Sequence, residues 1–256
     1  MFLEERQQKI LEMLNKKNKV TVKELTNNFS VYEVTIRKDL NELEKQKLLY
    51  RTHGGAIKNS NLVDVPSIYK RKVTNQKIKE RIGEKAAEFI EENETIILDS
   101  GTTTFQIVNH LKKFTNLNVI TNSLEICNAL IKAAGIKIIL GGEEVNKGNL
   151  SIIGSTAVKT INKYNANKLF LGVSALSLNN GYTTSEEKIA NIKKCMINLA
   201  NKIIVVSDSS KFDKVSFFTV CDYDEIDAII TDDKIENRYI KAFKEKNIDV
   251  NIVNSN

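Results

Sequence analysis

From residue 77 onward the chain alternates short apolar runs of strand length with segments of helical periodicity. The runs fall at 95–98, 118–120, 136–140, 169–173, 202–206, 228–230 and 250–253, and the first helical stripe is Ile78, Ile82, Ala86, Phe89 and Ile90. Continuously apolar strands are buried on both faces, and strands separated by helices pair in parallel through crossovers. The alternation predicts a mostly parallel sheet covered by helices on both sides. In such a sheet the carboxyl ends of all strands share one edge, and ligands bind in the crevice there.

The residues directly after the runs are small and polar. They read Asp99-Ser100-Gly101-Thr102-Thr103-Thr104, Thr121-Asn122-Ser123, Gly141-Gly142, Gly172-Val173-Ser174 and Ser207-Asp208-Ser209-Ser210-Lys211. Five polar segments converge by topology, which predicts a pocket. The segment 99–104 is the sharpest: a glycine turn followed by three threonines at a helix start offers backbone N–H groups and hydroxyls to an anion such as phosphate. Lys211 would supply counter-charge. Ordinary helix capping accounts for any one segment alone, so the repetition favours the pocket.

The first fifty-eight residues have a different pattern. Leu3, Gln7, Ile10, Leu11 and Leu14 space a first helix, ending in the polar run 15–19. Thr21-Val22-Lys23-Glu24 and Ser30-Val31-Tyr32-Glu33 are capping boxes nine residues apart. They enclose one short helix and a tight turn, the spacing of a helix-turn-helix. On the third helix Tyr32, Ile36, Leu40 and Leu43 form a single stripe. The opposite face carries Val31, Val34, Thr35, Lys38 and Asn41 with Arg37 at its flank, side chains suited to base edges in a major groove. Residues 48–56 read as strand, glycine turn and return, a wing that puts Arg51 and His53 at its tip.

Residues 1–58 hold nine Lys and three Arg against eight acids, a net +4 of the whole chain's +6. That concentration suits a nucleic-acid-binding module, although an ordinary solvated surface could carry it too. No apolar run nears the roughly 18 residues of a membrane span, so no membrane role is expected and the cytoplasm is the expected location. Cys127, Cys195 and Cys221 lie far apart and form no cluster with His53 or His110, so neither zinc nor a disulfide framework is expected.

Residues 6–57, with Val34-Thr35-Ile36-Arg37-Lys38-Asp39-Leu40 and His53-Gly54-Gly55-Ala56 among them, closely resemble the N-terminal domain of the DeoR family of bacterial transcription regulators. The resemblance implies that the third helix enters the major groove, with Thr35, Arg37 and Lys38 as the foremost contacts. From residue 77 onward the chain resembles that family's effector domain, which is related in fold to ribose-5-phosphate isomerase and generally senses phosphorylated sugars. The matching pieces are Leu98-Asp99-Ser100-Gly101-Thr102-Thr103, Val119-Ile120-Thr121-Asn122-Ser123, Leu140-Gly141-Gly142, Leu169-Phe170-Leu171-Gly172 and Val206-Ser207-Asp208-Ser209-Ser210-Lys211-Phe212.

The isomerase relationship makes catalysis the rival expectation. By resemblance Glu187 takes the isomerase base position and becomes a candidate ligand contact; it reads equally as a first-turn carboxylate favoured by the helix dipole. The stretch that carries the isomerase's lysine is here 173–181, with no lysine, no acid and one glycine, which predicts binding without turnover.

The expected architecture is therefore α/β: a winged helix-turn-helix domain at 1–58, a linker at 59–75 and an effector domain at 76–256. The DNA-contacting set is Val34, Thr35, Arg37, Lys38, Arg51 and His53. The effector set is Asp99, Gly101, Thr102, Thr103, Thr104, Asn122, Gly141, Gly142, Gly172, Ser174, Glu187 and Lys211. The expected function is a transcriptional regulator repressing a carbohydrate-use operon. It would bind a double-stranded operator as a homodimer or homotetramer, without a cofactor, and be released by a phosphorylated sugar. The alternative is a sugar-phosphate isomerase-like enzyme with an added DNA-binding domain.

Overall fold

The computed structural model describes residues 3–45, 48–52, 54–58 and 67–255. The N-terminal head runs α1 (Leu3–Lys17), β1 (Lys19–Thr21), α2 (Val22–Phe29), α3 (Glu33–Lys45), β2 (Leu49–Thr52) and β3 (Gly55–Lys58). The strands form an antiparallel sheet with β3 in the middle. Ile10, Leu14, Val20, Leu25, Ile36, Leu40, Leu43 and Leu49 pack its core. Arg6 of α1 pairs with Asp39 of α3 inside that core, with a second bond of 3.0 Å from Nη2 to Oδ1.

The two capping boxes fare differently. Thr21 caps α2, its Oγ1 accepting from the Glu24 N–H at 3.1 Å. The Glu24 carboxylate pairs with Lys17. Ser30 does not cap α3: it closes α2 in the left-handed region, at φ 52°. The helix starts after Tyr32, whose carbonyl accepts from Thr35 N–H at 2.9 Å. That turn breaks the register the apolar stripe assumed, so Tyr32 leaves the core and stands 85% exposed. Strand β1 was not anticipated, because three residues with one buried side chain carry no visible period.

The body continues with α4 (Ile68–Val73), α5 (Gln76–Ala87), β4 (Thr95–Leu98), α6 (Thr104–Ile107) running into a 3-10 helix at Val108–Lys113, β5 (Leu117–Thr121), α7 (Leu124–Leu130) and β6 (Ile136–Leu140). Next come β7 (Glu144–Asn146), β8 (Ser151–Ile153), α8 (Ser155–Ile161), β9 (Ala166–Gly172), β10 (Ala175–Ser177), β11 (Gly181–Thr184) and α9 (Glu187–Leu199). The chain ends with β12 (Ala200–Val206), β13 (Phe218–Cys221), β14 (Ala228–Asp232), α10 (Asn237–Glu245) and β15 (Asp249–Val253).

All seven expected runs are strands of one sheet, ordered β15-β14-β12-β9-β4-β5-β6 and parallel throughout. Its side chains alternate between two cores, as the period of two requires. Ile97, Ile120, Leu169, Leu171 and Val205 meet α8, α9 and α10, through residues such as Ile161, Met196 and Phe243. Ile96, Leu98, Val119, Phe170 and Val206 meet α5, α6 and α7, through residues such as Ile82, Ile107 and Leu130.

From β4 the chain winds outward to β6, then returns to β9 beside β4 and winds the other way. The strand order therefore reverses between β4 and β9. The open crevice of such a sheet lies at that reversal, beyond the strands' carboxyl ends. A small antiparallel sheet, β10-β11-β13, and the hairpin β7-β8 flank it; both are too short and polar to show in the pattern. Part of the stretch read as linker is helix α4, packed on the body through buried Ile68, while 59–66 lie outside the described residues.

Candidate functional site

A pocket occupies the reversal point. Ser100, Gly101, Thr102 and Thr103 line it from the turn after β4, and Gly172, Val173 and Ser174 from the end of β9. Lys211 enters from the loop after β12, Arg71 from α4, Asn149 from the β7-β8 hairpin, and Ile189 and Lys193 from α9.

Asp99 organises the floor. It is fully buried, accepts from the Gly172 N–H at 3.0 Å and pairs with Lys193, which also donates to the Gly172 carbonyl at 2.8 Å. Burial pushes the Asp99 carboxyl up, against the pull of Lys193. Its Oδ1 has no hydrogen-bond partner among the described residues. Asn122 holds the β4 turn: its Oδ1 accepts from the Ser100 N–H at 3.1 Å while its amide donates to the Ile152 carbonyl at 3.2 Å. Thr104 Oγ1 donates to the Gly101 carbonyl at 2.9 Å. Asp99, Asn122 and Thr104 therefore shape the pocket from behind its wall.

The wall is cationic. Arg71, Lys193 and Lys211 line it. Burial lowers Arg71, opposed by Asp99 and Glu125, and lowers Lys211, opposed by Asp208. Behind them Lys79 is buried and donates to the carbonyls of Arg71 (2.5 Å) and Thr74 (2.7 Å), fastening the end of α4. Burial pulls its ammonium down to about 8. Asn75 adds a bond to Asp208 Oδ1 at 2.9 Å. Among the described residues Arg71, Lys79, Lys193 and Lys211 stand against Asp99, Asp208 and Glu125, a cationic lining that a bound anion would complement.

Of the expected effector residues, Gly101, Thr102, Thr103, Gly172, Ser174 and Lys211 line this pocket. Gly141 and Gly142 do not. Gly141 lies against the α8 backbone at Ala157, and Gly142 is exposed. Glu187 is also elsewhere: as the first residue of α9 it faces a cleft beside the head, nearly two turns from Lys193. The stretch 173–181 has no lysine, but the fold brings Lys193 in from α9. Sequence reasoning missed Arg71, Asn149 and Lys193. The visible signal was weak: Arg71 sits in a basic run read as linker, and Lys193 is one of several lysines on its helix.

In the head, Val34, Arg37 and Lys38 are exposed on α3 and Thr35 is partly buried. Arg37 pairs with Glu33 at 3.4 Å across one helical turn. Arg51 is held against α3, its N–H donating to Glu44 at 2.8 Å and its guanidinium to Asn41. His53 lies outside the described residues. Among the described residues no helix is long and apolar enough to cross a membrane.

Residues 6–61 match the DeoR-like helix-turn-helix domain and residues 74–233 the DeoR C terminal sensor domain. The chain belongs to the DeoR family. It is 35% identical, over 97% of its length and 93% of the relative's, to an Escherichia coli O157:H7 protein named for repression of the aga operon. It is 34% identical to the HTH-type transcriptional regulator YulB of Bacillus subtilis, covering 99% of this chain and 98% of that one. The glycerol-3-phosphate regulon repressor of Escherichia coli K12 is 33% identical, with 87% and 88% covered. Ribose 5-phosphate isomerase A of Methanocaldococcus jannaschii superposes on 54% of this chain and 55% of its own, with TM-score 0.41 and 16% identity. That likeness is too loose to bear on function. This DeoR-family chain is a DNA-binding transcription regulator and not an enzyme.

Proposed function

We propose that this DeoR-family protein represses a carbohydrate-use operon and that a phosphorylated sugar, bound in the pocket between β4 and β9, changes its grip on the operator. The observation that carries the reading is the cationic wall of Arg71, Lys193 and Lys211 around the 101–103 turn. A phosphate would take the charge of that wall, and Asn149 and Ser174 offer polar partners to sugar hydroxyls. The relative named for glycerol-3-phosphate has a phosphorylated small molecule in its name, which agrees with this class.

The head, at residues 1–58, would place α3 in the major groove with Val34, Thr35, Arg37 and Lys38 toward the bases and phosphates. The body, at 76–256, would sense the ligand. Two recognition helices need at least a dimer. A ligand that prefers the arrangement with low operator affinity weakens DNA binding by the same factor by which DNA weakens the ligand.

Thermal melting against a panel of hexose phosphates, glycerol 3-phosphate, the unphosphorylated parents and inorganic phosphate tests the pocket. A specific ligand at 100 times its dissociation constant adds about 2.7 kcal/mol of stability. Arg71→Ala and Lys211→Ala should each remove that gain. No shift with any phosphorylated sugar would leave the pocket a purely structural feature.

A further inference from the structure

One helix lines both the pocket and a cleft beside the head. On α9, Ile189 and Lys193 line the pocket. On the adjacent stripes of the same helix, Glu187 and Asn191, and Ala190 and Lys194, line a cleft whose far wall belongs to the head. That wall is Lys19 and Thr21 of β1 with Thr52 and Gly54 at the wing turn, and Phe217–Thr219 close the cleft from the body. Tyr50 of β2 meets Phe217 edge-on, ring centroids 6.1 Å apart at 80°. Lys19 Nζ donates to Thr219 Oγ1 at 3.4 Å. The wing turn therefore faces the body, and the neighbouring Arg51 is already engaged by Asn41 and Glu44.

We propose that the wing is the contact through which the pocket controls the head, with α9 as the moving part between them. The proposal rests on the ligand reading above. Lys193 is held by Asp99 and the Gly172 carbonyl. A bound anion competes with Asp99 for that ammonium and changes where Lys193 is held. Ile192 and Met196 lock α9 into the core, so the helix shifts as a packed unit and does not bend at one residue. The edge that moves with Lys193 carries Ala190 and Lys194, which face the wing turn across the cleft, and α9 packs on β13, whose Thr219 takes the Lys19 bond. The wing then positions α3 relative to its symmetry mate, which is what operator spacing reads.

The test uses the full chain with Phe217→Ala, and with Tyr50→Ala from the other side of the same contact. Its two readouts are hydrogen exchange at wing amides and affinity for a duplex from the promoter of its own gene, with and without glucose 6-phosphate or glycerol 3-phosphate. In ligand-free Phe217→Ala, wing amides should exchange roughly tenfold faster, because their local opening loses a packed neighbour. Its ligand-free operator affinity and its thermal stabilisation by ligand should match the parent chain. The ligand-induced change in operator affinity, about 5–150-fold for typical coupling, should shrink to less than about twofold. Tyr50→Ala should do the same, and the double variant should add nothing further. Unchanged wing exchange, or a full ligand response in both variants, overturns the proposal. If neither sugar phosphate stabilises the parent chain, the pocket reading fails, while ligand-free exchange still decides whether the wing is docked.

Discussion

Two buried ion pairs show how single residues divide the work of this chain. Arg6 and Asp39 sit inside the head with both partners nearly excluded from water. Asp39 lies within the segment 34–40 that identifies the recognition helix, yet it faces inward and ties α3 to α1. Removing one partner of a buried ion pair costs about 3–5 kcal/mol. Asp39→Asn keeps the shape and some hydrogen bonding, so a loss near 3 kcal/mol is expected. Differential scanning calorimetry should show the head melting earlier while the melting of the body stays in place; an unchanged profile would make the pair incidental. Lys79 offers a test by pH. Its ammonium is drawn down to about 8 in the fold from an ordinary 10.5, so the unfolded chain holds the proton more tightly between those values. Stability from this residue therefore rises as pH climbs from about 8 toward 10.5 and is flat below. Urea midpoints for the parent chain and Lys79→Met, taken at pH 7.5 and 9.5, should diverge in favour of the parent at the higher pH. Parallel curves would mean that Lys79 is not desolvated.

At the scale of elements, legibility followed length and period. The seven strands of the main sheet are short apolar runs set between helical segments, and each appears where the run lies, although the edge strands β6 and β15 are largely only half-buried. Helix α3 was legible from Ile36, Leu40 and Leu43, but its first turn was not. Ser30 has the right chemistry for a cap and takes a left-handed turn, and Tyr32 swings out with it. Beside it Val34 is 64% exposed, so the start of α3 presents a large apolar surface next to Arg37 and Lys38. Arg37→Ala and Lys38→Ala should each weaken operator binding with the melting profile unchanged. A lost phosphate contact lowers the slope of log affinity against log salt by about 1, whereas a lost base contact costs about 1–3 kcal/mol and relaxes specificity at one position. Anisotropy titrations across salt concentrations separate the two; unchanged affinity in both variants would remove α3 from the groove. The short pieces β1, β7, β8, β10, β11 and β13 were invisible because three or four half-polar residues carry no period.

Over the whole molecule, the reversal between β4 and β9 decides where the pocket opens. Footprinting should show two protected half-sites about one helical turn, or a multiple of it, apart, as a two-fold assembly requires. A single protected half-site with no two-fold pattern would rule out paired reading. The order of apolar runs and helical segments was enough to determine a parallel sheet, a polar carboxyl edge, and a basic helix-turn-helix ahead of it, because these depend on period and on chain direction alone. It could not say which of the polar turns share a pocket. Gly101 and Gly172 meet there, whereas Gly141 packs on α8 and Glu187 faces the wing. Arg71 and Lys193 reach the same cavity from residues far away along the chain, and their charges acquire meaning only beside Asp99. Covalent neighbours determine local periodicity; which distant side chains share one low-dielectric space is settled by how strands are ordered and how helices pack across them.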